Sequence, residues 1–336
     1  MSLNLELEEL NSKSMEQVFT TLFRADDAVP PRLYEPARYL SLALDSTRTA
    51  QERTMDLSHM SRETEMLFRQ YLSPLSVVGG QAQRTSTVWP VALARWTEYL
   101  HDRASTLLVQ ELLPELADAG FHIVPVAETA NGSADWIHSY FQEHLYPLLT
   151  PLAVDPGRPF PYISSDSLNL LVELKGGGHH ESTLLFARVK IPSITPRLVR
   201  TSAGPQENGQ YLSTPAPATY VWSVDLVRYY ISELFVDIPI RGVHCFRVFR
   251  APTALGYPSR NSSKARNVRG RDARGPVVRV DVESAMPPEI FDWLVDHLDV
   301  ISYSVVRYNV PEVAMSLPQL ADAVQEWTTP AQSPPS

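Results

Sequence analysis

The densest set of groups able to bind an anion lies in residues 259–275, SRNSSKARNVRGRDARG. This basic segment carries six cationic side chains and a single acid, Asp272. Arginine offers a phosphate two parallel donors, and Gly270 lets the backbone come close to a ligand. The cations are Arg260, Lys264, Arg266, Arg269, Arg271 and Arg274. We expect a polyanion-binding site here; the alternative is a solvated loop without a ligand.

Histidine pairs and glycine runs elsewhere do not form a catalytic or metal-binding pattern. His179 and His180 follow Gly176–Gly178 at the tip of a predicted hairpin, where solvation is the simpler interpretation. The sequence has no G-x-S-x-G, no P-loop and no G-x-G-x-x-G. We therefore predict no catalytic residue and no metal site.

The composition of the chain excludes several classes of protein. The chain has 336 residues, a formal net charge of −9 and one cysteine, Cys245. The negative charge argues against a general nucleic-acid binder, and one cysteine cannot form an internal disulfide. No apolar run approaches the ~18 residues of a membrane span, and the amino terminus lacks a signal-peptide pattern. We expect a cytoplasmic protein with no membrane span and no nucleic-acid partner.

Near residue 120 the predicted secondary structure changes from helices alone to helices and strands. Before it, apolar spacing predicts helices over 15–24, 32–44, 55–72 and 90–120, with Gly120 as the residue that ends the last one. After it, the pattern predicts helices over 134–146, 222–235, 286–298 and 317–327. Strands are predicted over 121–124, 168–174, 184–191, 197–200, 244–249, 277–282 and 301–308.

This pattern predicts an α+β fold, in which an amino-terminal helical bundle precedes a mixed α/β domain. We divide the chain into a loosely held start (1–14), a helical domain (15–120), an α+β domain (121–328) and a tail (329–336). Residues 149–174, LTPLAVDPGRPFPYISSDSLNLLVEL, lie at the centre of the second domain. Five prolines between 147 and 161 exclude a helix there, Asp155-Pro156-Gly157 indicates a turn, and the strand that follows should bury one face well.

The same stretch resembles the middle ("head") domain of bacterial polyphosphate kinases. The matching runs are LTPLAVDP (149–156), PFP (159–161) and SLNL (167–170). Similar runs are ELLPEL (111–116), VKIPS (189–193), PRLV (196–199), FRV (246–248) and GPVVRV (275–280). The resemblance covers roughly residues 29–320, and it implies the family's amino-terminal helical domain followed by its head domain.

The resemblance also implies what this chain lacks. In the family, two carboxyl-terminal domains similar to phospholipase D carry the phosphorylated histidine and most nucleotide and metal contacts, and this chain ends before them. The family's adenine-site asparagine falls on Ser46, within Leu44–Thr49. A serine hydroxyl lacks the paired donor and acceptor of an amide, so we expect a weaker contact with adenine at this position. Arg158 and Arg197 lie in matched motifs, where they either form ion pairs or line a polyphosphate channel.

From this resemblance we expect a polyphosphate-kinase-like protein without the catalytic half. Its function would be non-catalytic: assembly, or binding of polyphosphate or nucleotide, with the chain alone inactive and forming a dimer. The alternative is part of an active kinase whose catalytic domains are supplied in trans or have been removed. ATP and Mg²⁺ would then be used only together with that half. A third possibility is an unrelated small-molecule role on the same scaffold.

Overall fold

The computed structural model describes residues 13–23, 31–71, 88–129, 131–154, 160–175, 184–201, 217–250, 277–298, 300, 305–309 and 316–329. The predicted α+β fold is confirmed, because helices come first and mixed sheets follow. The first part contains α1 (Met15–Leu22), α2 (Glu35–Ala43), α3 (Ala50–Tyr71), α4 (Val88–Leu107) and α5 (Leu113–Asp118). A five-residue π-helical segment, Leu108–Leu112, joins α4 to α5.

Local sequence signals set several of these boundaries. Ser14 and Gln17 form a reciprocal capping box at the start of α1, with bonds of 3.3 and 3.2 Å. Gly120 has a φ of +104°, which only glycine adopts easily, and it ends the helical part as predicted. Inside the bundle, Trp96 and Tyr99 are buried and stacked, with ring centroids 5.6 Å apart.

The second part contains nine strands among its described residues, in two sheets. The smaller sheet has the order β1-β6-β5, and the larger has the order β2-β4-β3-β7-β8-β9. The larger sheet is antiparallel except where β8 and β9 run parallel. The strands are β1 (Phe121–Ile123), β2 (Leu152–Val154), β3 (Ser167–Lys175), β4 (Leu184–Lys190), β5 (Leu198–Arg200), β6 (Ala218–Trp222), β7 (Ile240–Arg250), β8 (Val277–Glu283) and β9 (Val305–Tyr308).

Helices connect and cover these sheets. They are α6 (Asn131–Tyr140), α7 (Ser223–Tyr229), α8 (Pro288–Leu298) and α9 (Leu317–Thr328). The larger sheet is covered on both faces. One face joins the hydrophobic core of the helical part, and the other packs against α8 through residues such as Leu294. The described residues contain no helix with the length and hydropathy needed to cross a membrane.

Four local features differ in detail from what the sequence predicted. β3 is buried on both faces rather than one, because α8 covers the second face. The helix expected from Ala134 begins at Asn131, and a π-helical segment (Phe141–Leu145) follows it. The helix predicted over 222–235 begins one residue later, after β6 ends at Trp222, and it is divided into α7 (Ser223–Tyr229) and a 3₁₀ turn (Ile231–Leu234). β2 lies in the proline-rich stretch, where no strand was predicted. Short-range pattern does not reveal strands of three to five residues that are set by tertiary pairing.

The other elements follow the prediction to within a few residues. Cys245 is buried in β7. The strand predicted over 301–308 is described only from Val305, and the Gly176–Gly178 hairpin tip lies outside the described residues. The proposed domain boundary near residue 120 stays a prediction. One hydrophobic core extends across it, from Leu100 of α4 to Leu170 of β3.

Candidate functional site

A cavity of about 440 Å³ opens beside the amino end of β3. Its volume falls within the range of about 300–1,000 Å³ that is usual for small-molecule sites. Its walls come from the turn before β3, the loop between β4 and β5, the strand β7 and the helix α9. The lining residues are Asp166, Leu168, Ser193, Ile194, Thr195, Pro196, Arg197, Arg247 and Gln319.

Arg197 is the first arginine of this cavity, and the carboxylate of Asp166 in the cavity wall is the acid whose charge acts on it. Its Nη1 is buried without a hydrogen-bond partner in the part of the chain that the structure describes. Burial lowers the pKa of its guanidinium and the positive charge of Arg247 lowers it further, while the negative charge of Asp166 acts in the opposite direction. A guanidinium in these surroundings gains free energy from an added anion.

The backbone around Arg197 is held in place by local hydrogen bonds. Thr195 donates from both its amide nitrogen and its Oγ1 to the carbonyl of Pro192, at 3.3 and 2.7 Å. The amide of Ser223, at the start of α7, donates to the carbonyl of Arg197 at 2.8 Å. These bonds fix the loop before a ligand arrives, which reduces the entropy lost on binding.

Arg247, the second arginine of the cavity, is fully engaged with carboxylates. Its guanidinium lies 3.2 Å from Glu65 of α3, 3.6 Å from Asp166 and 2.9 Å from Asp281 of β8. Burial alone would lower the pKa of Arg247, but the charges of Glu65 and Asp281 raise it above its ordinary value. This buried ion pair connects the helical part directly to the larger sheet.

Further polar groups continue the network beneath the cavity. Arg279 of β8 donates to Asp281 and to the hydroxyl of Tyr308 in β9. Its guanidinium also stacks on the rings of Phe68 and Phe249, at 4.7 and 4.8 Å from their centroids. The network therefore pairs buried charges and places two aromatic rings against the guanidinium of Arg279.

A second, shallower depression of about 300 Å³ adjoins the cavity and shares Ser193 and Ile194 with it. It contains two cations of β4 whose hydrogen-bond partners among the described residues are neutral. Arg188 donates from Nε to Asn169 Oδ1 at 2.8 Å, and Lys190 donates from Nζ to Ser164 Oγ at 3.1 Å. The apolar side chains Leu148, Leu152 and Ile194 form its rim.

The structure separates the predicted site residues that it describes. Arg197 lines the cavity, whereas Ser46 is exposed in the turn between α2 and α3 and does not line it. Arg158 and the six cations of the basic segment lie outside the described residues. The described residues contain no group of three or more His, Cys, Asp or Glu placed to hold a metal ion.

The central role of Arg247, Arg279 and Asp281 was not predicted from the sequence. The sequence does contain a usable signal. Charged residues at alternate positions interrupt an apolar strand, as in VVRVDVE over Val277–Glu283. Period-two spacing places Arg279 and Asp281 on one face of the strand. A charge pair on the face of a central strand indicates a buried ion pair with partners on another element.

Comparison with known proteins shows which family this chain resembles. Residues 133–319 match the model of the polyphosphate kinase middle domain. A polyphosphate kinase from Prosthecochloris aestuarii is 33% identical over 204 residues, which is 60% of this chain and 28% of that protein. One from Streptomyces coelicolor is 30% identical over 276 residues, covering 78% of this chain and 34% of that protein.

A solved structure supports the same relationship at the level of the fold. The crystal structure of polyphosphate kinase from Porphyromonas gingivalis superposes with a TM-score of 0.68 at 18% identity, over 90% of this chain and 42% of that one. The chain thus spans about a third of the length of the curated relatives cited above. With more than half of its residues matched to the family's middle domain, the chain belongs to the polyphosphate kinase family.

Proposed function

We propose that this chain is a polyphosphate-binding and assembly module of polyphosphate kinase type, which does not transfer phosphate by itself. The observation that carries the proposal is the cavity lined by Arg197 and Arg247 within the matched middle domain. The buried guanidinium of Arg197, whose Nη1 has no hydrogen-bond partner among the described residues, favours an oxyanion. The relatives are named for polyphosphate, which makes this polymer the first ligand to test.

The buried ion network supports the assembly part of the proposal. Glu65 on α3 and Asp281 on β8 bind the same guanidinium, so the helical part and the larger sheet are held in one arrangement. A fixed arrangement of two parts provides a preformed surface for a second copy or another chain. We propose a dimer, and light scattering on the purified chain measures its mass directly.

A second candidate function is part of an active kinase. The chain corresponds to only 42% of the Porphyromonas gingivalis structure, so most of that fold consists of residues without a counterpart here. In this alternative, a separate chain supplies the phosphotransfer residues, and ATP and Mg²⁺ are used only in the complex. Adding that chain would then restore phosphotransfer that neither component shows alone.

The binding proposal is tested by titrating the purified chain with long-chain polyphosphate at low and at high ionic strength. We expect binding that weakens with salt, because cationic side chains meet a polyanion. A matched variant replaces the six cations of the basic segment by alanine, and weaker binding by that variant assigns part of the affinity to it. Binding that is unaffected by salt would contradict an electrostatic site.

The proposal also predicts that the chain alone does not become phosphorylated. After incubation with γ-labelled ATP and Mg²⁺, we expect no acid-labile label on the protein. Label that disappears in acid and persists in alkali would indicate a phosphohistidine on this chain, and it would overturn the non-catalytic part of the proposal.

A further inference from the structure

We propose that His244 and Glu173 bind a divalent transition-metal ion of the zinc type, near the carboxyl end of β3, where that strand pairs with β7. Neither residue lines the cavity, which opens at the opposite end of β3. The inference is therefore independent of polyphosphate binding. The sequence did not predict this site, because its two ligands lie on different strands that are far apart in the chain.

The pairing of β3 with β7 brings the two ligands together. Glu173 lies directly opposite Gly242 in the register, and His244 follows Gly242 by two positions. Side chains alternate along a strand and directly paired residues share a face, so Glu173 and His244 are on the same side of the sheet. Gly242, between them, contributes no side chain to the space that they enclose.

The donor atoms of both ligands border one small space above Gly242. A methyl group at Gly242 would lie 2.8 Å from Nε2 of His244 and 3.4 Å from Oε2 of Glu173. Bonds from zinc to imidazole nitrogen or carboxylate oxygen are about 2.0–2.2 Å long, so small rotations of the two side chains bring both atoms to one ion. An imidazole with a carboxylate suits zinc and its neighbours better than magnesium or calcium.

His244 is oriented by a second carboxylate, as metal-binding histidines usually are. Its Nδ1 lies 3.0 Å from Oε1 of Glu283, and Arg228 donates to Oε2 of the same group at 2.9 Å. Burial alone would raise the pKa of Glu283, but the bonds to His244 and Arg228 hold it below its ordinary value. A charged carboxylate accepts the Nδ1 proton, which leaves the lone pair of Nε2 for a ligand.

The other ring nitrogen of His244 is the observation that points to a ligand. The residue is only 8% exposed, and its Nε2 is buried without a hydrogen-bond partner among the described residues. A buried polar atom that has lost water without gaining a partner is energetically costly. A metal ion above Gly242 would supply that partner.

Glu173 supplies the negative charge of the site. Its Oε1 lies 3.7 Å from Nη1 of Arg241, whereas Oε2 borders the space above Gly242. Within the described ranges, no group of three or more His, Cys, Asp or Glu is placed around one metal position. The site thus offers two protein ligands, and water molecules complete the coordination. We expect an ion that exchanges readily rather than a permanent structural metal.

The test measures binding of Zn²⁺ and Co²⁺ to the purified chain, without a histidine tag and in phosphate-free buffer. We expect binding by wild type, a change in the visible absorption of Co²⁺, and a higher unfolding temperature with Zn²⁺. Glu283→Gln should weaken binding about 10- to 100-fold, because it no longer orients His244 as a charged acceptor. Glu173→Gln removes a ligand charge and Gly242→Ala fills the space, and both should weaken binding at least as much.

The matched control is His144→Gln, since His144 is exposed in the π-helical segment Phe141–Leu145 and should not affect binding. A double variant, His179→Gln with His180→Gln, tests the two histidines that lie between β3 and β4 in the sequence, and retained binding supports the site. Circular dichroism checks that every variant is folded. The inference would be overturned by wild type that binds no Zn²⁺, by equal affinity of wild type and Glu173→Gln, or by loss of binding in the double histidine variant alone.

Discussion

At the scale of single residues, the two arginines of the cavity have opposite roles. Arg247 is satisfied by three carboxylates from different parts of the chain, whereas Nη1 of Arg197 has no partner among the described residues. The first arrangement stabilises the fold, and the second is suited to a ligand. We therefore propose that Arg247 serves the structure and that Arg197 serves binding.

This difference leads to a prediction about Arg247. Arg247→Met should lower the free energy of unfolding by about 3–5 kcal/mol, because the buried carboxylate of Glu65 loses its countercharge. Arg38→Met is the matched control, and its exposed pair with Glu35 should contribute no more than about 1 kcal/mol. Urea unfolding measures both changes. A similar small change in the two variants would contradict the structural role of Arg247.

At the level of residues, the sequence predicted Arg197 from a motif and did not predict the role of Arg247. Arg197 was chosen because of its motif, and it lines the cavity; whether it binds an anion stays a prediction. Arg247 was recognised only as part of a matched run. Its function depends on Glu65 and Asp281, which are distant in the sequence, and spacing along one chain does not reveal such partners.

At the scale of elements, a buried acid joins α4 to β9. Glu98 is 5% exposed, and burial raises its pKa from 4.5 to about 7 despite the nearby charges of Arg95 and Arg307. The backbone amide of Arg307 donates to its carboxylate, and Asp102 adds a repulsive charge. The carboxyl group is thus held in its neutral form at mildly acidic pH, between a helix and an edge strand.

Glu98 should make stability decrease as pH rises. The folded chain retains the proton up to about pH 7, whereas the unfolded chain releases it near 4.5, so the stabilisation is complete below 4.5 and is lost between these values. The shift corresponds to at most about 3 kcal/mol. Glu98→Gln should match wild type near pH 5 and exceed it near pH 8 in urea unfolding. A constant difference between the two across this range would contradict the assignment.

The elements that were predicted correctly are those with strong local periodicity. This periodicity is clear in the helices α3 and α9 and in the strands β3 and β7. The π-helical segment Leu108–Leu112 shows no such signal. There, Arg53 of α3 donates to Glu111 at 2.6 Å and to Glu115 of α5 at 3.0 Å, which holds the altered turn in place. Long-range contacts of this kind determine the local geometry.

At the scale of the whole molecule, the helices and the larger sheet share one hydrophobic core. It includes Leu100 of α4, Leu170 of β3 and Leu320 of α9, which are all buried. The ion pair between Glu65 and Arg247 spans the same junction. The predicted boundary near residue 120 therefore coincides with a change in secondary structure but not with a break in packing.

This continuity predicts cooperative unfolding. Far-ultraviolet circular dichroism and tryptophan fluorescence should report the same urea midpoint, because separating the helices from the sheet exposes the shared core. Arg38→Gln should retain that coincidence, since its position lies outside the junction. Two resolved transitions in wild type would show that the helical part and the sheet unfold independently.

Our central proposal is that this member of the polyphosphate kinase family binds polyphosphate through a preformed site with cationic side chains. The most direct measurement is the affinity of the wild-type chain for long-chain polyphosphate, compared with orthophosphate, at low ionic strength. We predict that the polymer binds much more tightly than orthophosphate and that added salt weakens its binding. Absence of polymer binding under these conditions would contradict the claim.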